Sequence, residues 1–163
     1  MSTGLIIFLA VVLGAAVLVL NATLILRWLR RLRREAIAGL REDVGSQRVY
    51  QVDDCNFFGV ESAGYGQARG NGVMALAQRG IYFRMLIPRK HLFIPLASVR
   101  EISHPRWFKG RSKARELLRV DFTGQAGERD AAAWLVPHRE WWKEAILSLR
   151  EGREPSPSPP RRR

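Results

Sequence analysis

One grouping in this sequence has residue types that converge on a single chemistry, because it interleaves cations with large aromatics. His104 to Arg119 reads HPRWFKGRSKARELLR and sets Arg106, Lys109, Arg111, Lys113, Arg115 and Arg119 against a single Glu116, with Trp107 and Phe108 among them. Guanidinium and ammonium groups attract phosphate oxygens, and aromatic side chains partition into the interfacial zone of a bilayer. The expected contact residues, for anionic lipid headgroups or a protein partner, are therefore Arg106, Trp107, Phe108, Lys109, Arg111, Lys113 and Arg115. Pro105 and Gly110 place them on a loop between strands. The opposing expectation is a solvated loop whose Trp107 folds back over the end of the domain.

Other chemistries find less support. Cys55 is the one cysteine, so no internal disulfide is available and the fold must stand on its own core. A nucleophilic role would need a lowered thiol pKa, yet Asp53 and Asp54 precede it and their charge acts the other way. His91, His104 and His138 lie 13 and 34 residues apart and match no zinc spacing. The stretch ESAGYGQARGNG, with Gly64, Gly66, Gly70 and Gly72, lacks the Lys-Ser/Thr or helix start of a phosphate cradle and reads as loop and turn. No catalytic residue, metal or cofactor is expected. Residues 48–150 carry 17 basic and 10 acidic side chains, net +7, enough for nonspecific attraction to nucleic acid. No helix-turn-helix, zinc module or aromatic RNA-binding strand accompanies that charge, so nucleic acid is the alternative partner and an enzyme using Cys55 a more distant one.

What would position the basic aromatic segment is set by an uneven distribution of charge. The chain has 163 residues with 27 basic and 15 acidic side chains, and none of these lies before Arg27. Gly4 to Leu26 reads GLIIFLAVVLGAAVLVLNATLIL, in which 15 of 23 residues are Leu, Ile, Val or Phe. As a helix it would be about 35 Å long, against roughly 30 Å of hydrocarbon. A cleaved signal peptide would have a basic start and a shorter apolar run. Here the arginines follow instead: Arg27, Arg30, Arg31, Arg33 and Arg34, with Trp28 at the interface. The positive-inside rule puts the N-terminus outside and the remainder in the cytoplasm, as a single-pass protein of the inner or plasma membrane. Ala10, Gly14 and Asn21 share one stripe, which would permit a weak homodimer through the helix; the opposing and preferred expectation is a lipid-facing helix whose small residues are incidental.

The expected organisation is a transmembrane helix over 1–26, a basic juxtamembrane helix over 27–46, a domain over 47–150 and a disordered Pro/Arg-rich tail over 151–163. The juxtamembrane piece carries six Arg against three acids, and Gly45-Ser46 closes it. In the domain, Val73 to Ala77 and Ile81 to Phe83 flank a Gln78-Arg79-Gly80 turn and predict a hairpin. A strand over His91 to Leu96 is extended by Val99 to Ile102. Leu118, Val120 and Phe122 line one side of another strand, and Ala132, Trp134 and Val136 mark the last. Trp142, Ala145, Ile146 and Leu149 then recur at the spacing of one helix face. The fold class is α+β: a small antiparallel barrel or sandwich capped by a C-terminal helix.

The runs GNGVMALAQRGIYFRM, FIPLASVREI, ELLRVDFTG, AAAWLV and WWKEAILSL together resemble the pleckstrin-homology (PH) or GRAM-like domains of bacterial membrane proteins. The matching positions are Gly72, Gly80, Phe83, Ile94, Pro95, Leu96, Val99 and Trp142, and the resemblance covers 48–150. It implies a binding or scaffolding module at the membrane surface rather than an enzyme. The phosphoinositide signature of eukaryotic members does not carry over, because the first hairpin offers only Arg69 and Arg79.

Overall fold

The computed structural model describes residues 3–112 and 115–157, without the side chains of Ile6, Arg111 and Ser112. Two compact units divide between Glu35 and Ala36. The first is the greater part of helix α1 (Thr3–Val44), whose apolar side chains at Leu5 and from Ile7 to Leu29 stand exposed. The two polar side chains between Leu5 and Leu26 are satisfied within the helix: Asn21 Nδ2 donates to the Val17 carbonyl at 2.9 Å and Thr23 Oγ1 to that of Leu20 at 2.7 Å. Arg31 and Glu35 pair one turn apart. Among the described residues this is the one helix long and apolar enough to cross a membrane.

The second unit begins with the last turns of the same helix, which end where expected. Gly45 takes a left-handed φ of 62° and donates to the Arg41 carbonyl. Strands β1 (Val49–Val60), β2 (Gly70–Ala77), β3 (Gly80–Met85) and β4 (His91–Pro95) follow as an antiparallel meander. The predicted hairpin is β2–β3, closed by Gln78 and Arg79. A Cβ at Gly72 would collide with the Phe83 ring and the Arg84 carbonyl, so glycine lets β3 lie flat against β2 there.

β5 (Val99–Ser103) does not extend β4 as expected. Pro95 has no N–H to continue the ladder, and a 3-10 turn over Leu96–Ser98 carries the chain to the opposite edge. A two-strand ribbon comes next, β6 (Trp107–Phe108) with β7 (Arg111–Ser112). β8 (Leu118–Thr123), β9 (Arg129–Leu135) and helix α2 (Arg139–Arg150) complete the chain. The seven-stranded sheet has the order β4-β3-β2-β1-β9-β8-β5. β4 and β5 remain as two unpaired edges, so the barrel alternative fails: strand pairing does not close. The curl comes from β1, which pairs β2 through Phe57 and β9 from Asn56 to Val60, with a bulge at Phe57/Gly59 and φ 127° at Gly59.

Both faces of the sheet are covered. On the inner face Phe57, Phe83 and Trp134 form a ring cluster with centroids 4.7–5.9 Å apart, under Trp141, Trp142, Ala145 and Ile146 of α2. Gln51 and Asp53 also point inward; the Asp53 carboxylate accepts from Gln51 Nε2 at 2.9 Å and from Trp142 Nε1 at 3.0 Å. On the outer face Ala36, Leu40 and Val44 pack on Val73, Ala75, Ala77 and Tyr82. The last nine residues of α1, assigned by sequence to a juxtamembrane helix, are therefore part of the body's core. Arg84 clamps them, donating from Nε and Nη2 to the two Asp43 oxygens at 2.7 and 2.8 Å.

Leu40 is 1% exposed, and Leu40→Ala is expected to cost about 2–5 kcal/mol, read as an earlier urea midpoint of the body in detergent. The Arg84 guanidinium holds the Asp43 carboxyl below its ordinary value of 3.8. A depressed carboxylate pKa stabilises the fold above the unfolded value, and that contribution is lost as pH falls through the folded one. Urea midpoints measured between about pH 5 and 2 should fall less steeply in Arg84→Met than in the parent.

Candidate functional site

The segment expected to be a plain loop is a β-hairpin, because Lys109 (φ 45°) and Gly110 (φ 76°) supply the two positive dihedrals of a tight primed turn. Pairing of Trp107 with Ser112 and Phe108 with Arg111 then sends successive side chains to opposite faces. Phe108 turns inward and is 2% exposed, packed in a third apolar cluster with Phe58, Leu117, Ala131 and Ala133 on the outer face of the sheet. It is a core residue and not a contact residue. Trp107 turns outward and is 59% exposed. The ribbon does fold back over the domain, but through Phe108 rather than Trp107.

The cations separate in the same way. Arg119 is tied down: its guanidinium donates to Asp121 at 2.7 and 2.9 Å and to Glu61 at 2.9 Å, and lies 5.6 Å from the centre of the Phe108 ring. Lys109 at the turn holds its ammonium 5.4 Å from the centre of the Tyr65 ring, and its carbonyl accepts from Arg69 Nη2 at 3.1 Å. Arg106 and Arg115 stand at the base of the ribbon, both exposed. Arg111 is placed as backbone in β7, and Lys113 lies outside the described residues, as do positions 158–163 of the expected tail.

Tyr65, which the sequence reading passed over, belongs to this surface. It stands 71% exposed on the β1–β2 loop, which the ribbon tip touches. That loop is held in shape by Gln67, whose amide accepts from the Val60 N–H and donates to the Val60 carbonyl, both at 2.6 Å, as a neighbouring strand would. Ser62 fixes its other limb on Asp130. Ile87, at the β3–β4 loop, is exposed as well. The signal for both was a large apolar residue among turn formers, visible in sequence but shared with many buried loop anchors.

The remaining candidates do not converge. Cys55 faces the core; burial pushes its thiol well above the ordinary 9.0, and Asp54 and Asp53 push it further. His104 contacts Glu140 at 3.2 Å, His138 precedes α2, and His91 begins β4. Among the described residues no three His, Cys, Asp or Glu side chains gather as metal ligands.

With this geometry in hand, the comparisons with known proteins bear on the fold. No family model matches the chain, and neither does any curated protein. Among solved structures it is similar to the C-terminal domain of an unknown protein from Leishmania infantum, with a TM-score of 0.53 and 12% identity over 72% of this chain and 97% of that one. At that identity the likeness shows an α+β fold and nothing of the chemistry.

Two substitutions separate the faces of the ribbon. Phe108→Ala should destabilise the body by about 3–5 kcal/mol, whereas Trp107→Ala should stay within about 0.5 kcal/mol, both read from urea midpoints. Cys55 should resist an aromatic disulfide reagent in the folded protein and react only on unfolding.

Proposed function

We propose that this chain is a single-pass membrane protein whose body is a PH/GRAM-like binding or scaffolding module, non-enzymatic, held at the cytoplasmic surface of the inner or plasma membrane. The observation that carries the reading is helix α1, which has no charged side chain through Leu26 and then five arginines within eight residues. A helix in hydrocarbon must satisfy its own polar groups, and Asn21 and Thr23 do so against their own helix. The arginines favour the cytoplasmic side. Support for the PH-like assignment comes from the strand order: a four-strand meander and a three-strand meander joined through a bent β1, with α2 across the inner face.

On this reading the body meets the bilayer through Trp107 and the cations beside it. Only nine residues, 27–35, separate the apolar run from the body, so a contact too weak to hold a free domain is favoured by high effective concentration. Tyr65 extends the same surface.

Alkaline extraction of membranes should leave the full chain in the pellet, with a C-terminal reporter active in the cytoplasm. A water-soluble mature chain lacking its first two dozen residues would end the proposal. The lipid contact is tested separately in nanodiscs. A polarity-sensitive dye on Trp107→Cys, with buried Cys55 unreactive, should shift to the blue when anionic lipid is included. The same spectrum in zwitterionic and anionic discs would leave a protein partner as the occupant of this surface.

A further inference from the structure

Two arginines of the basic aromatic segment and one from helix α2 wall one groove. Arg106 leaves β5, Arg115 returns from the ribbon, and Arg139 opens α2; Val136 and Pro137 supply an apolar side, and the volume is about 750 Å3. That size is within the ~300–1,000 Å3 range of small-molecule sites. Sequence spacing hid the grouping, since Arg139 lies on a helix well beyond the basic aromatic segment.

The groove has more donors than the acceptors of the described residues satisfy. Glu116 is the one acid in its wall. Its carboxylate accepts from Arg139 Nη2 on one oxygen and lies 3.6 Å from Arg106 Nη2 on the other. Arg139 Nε is buried and has no acceptor, and Arg115 forms no hydrogen bond or ion pair among the described residues. Glu140 lies 3.6 Å from Arg139 Nη2 as well, so three guanidiniums face two carboxylates and the balance stays positive. A phosphate monoester brings three free oxygens to these planar forks, one more than a carboxylate would bring.

We propose that this groove is a binding site for phosphate monoesters, with Glu116 as an internal anion that the ligand displaces from Arg139. The apolar side at Val136 and Pro137 accommodates the organic part of the ester. The proposal deepens the membrane-surface reading by giving part of that surface a ligand chemistry, but it rests on the groove and not on the anchor. Both a soluble ester and the headgroup of a phosphatidic acid present this chemistry.

The test uses the full chain in nanodiscs. In discs of phosphatidylcholine, calorimetric titration with phenyl phosphate should give a single site whose affinity falls with salt. Arg115→Ala, an exposed side chain with no partner among the described residues, should weaken binding about tenfold or more, as should Arg106→Ala. Glu116→Gln should tighten it several-fold. In the second arm, with no soluble ester, phosphatidic acid in the discs should raise the melting temperature of the parent and not of Arg115→Ala. Success in the first arm assigns a soluble ester, and success in the second alone assigns the lipid. Absence of binding in both arms, or binding indifferent to Arg106, Arg115 and Glu116, overturns the proposal. None of these readouts depends on which way the anchor crosses the bilayer.

Discussion

A strand that buries both its faces needs cover on both sides, and β2 is such a strand. Val73 through Ala77 are all 0% exposed. Met74 and Leu76 contribute to the core under α2, while Val73, Ala75 and Ala77 present a second apolar surface on the other side. Left to water, that surface would oppose folding at about 25 cal/mol per Å2 of apolar area. The tail of α1 covers it, and the alanines keep the surface low enough for a helix to lie close. Gly39 serves the same fit, because a Cβ there would run into the Arg84 guanidinium that grips Asp43. The body is thus incomplete without residues that the charge pattern alone would assign to a spacer.

The same need recurs over β9. Ala131 and Ala133 open an outer patch, and Phe108 and Leu117 close it. What looked like a free basic loop is consequently a lid whose inner side is spent on the core. Its outward Trp107 and its basal Arg106 and Arg115 are the parts left exposed. Fixing Arg119 on Asp121 and Glu61 removes a cation from that surface while adding a contact across Phe108. The arrangement divides one stretch of sequence between side chains packed in the core and side chains left exposed.

These particulars explain what could be read beforehand. The β2–β3 hairpin, β8 and α2 were legible because apolar residues recur at the period of their structure and a turn signal bounds them. β1 was not, although it is the longest strand. Its inward positions include Gln51, Asp53 and Cys55, and the first two are tolerable inside only because they bond one another and Trp142. A pairwise hydrogen bond 89 residues away leaves no trace in local pattern. The departure of β5 to the far edge was hidden because Pro95 breaks the ladder without interrupting the apolar run. The long apolar helix was plain from composition, and the segment that carries Trp107 from its residue types. Which of its side chains face out needed the register of β6 against β7. Arg139 joins the groove only through the fold.

The dependence of the body on α1 can be measured directly by amide hydrogen exchange of the full chain in nanodiscs. Slow exchange over 40–44, matching the β2 and β3 amides, is the predicted result, together with faster exchange of this segment in Leu40→Ala. Rapid exchange of 40–44 while β2 and β3 stay protected would show that the sheet keeps its fold without the helix, and would contradict the account.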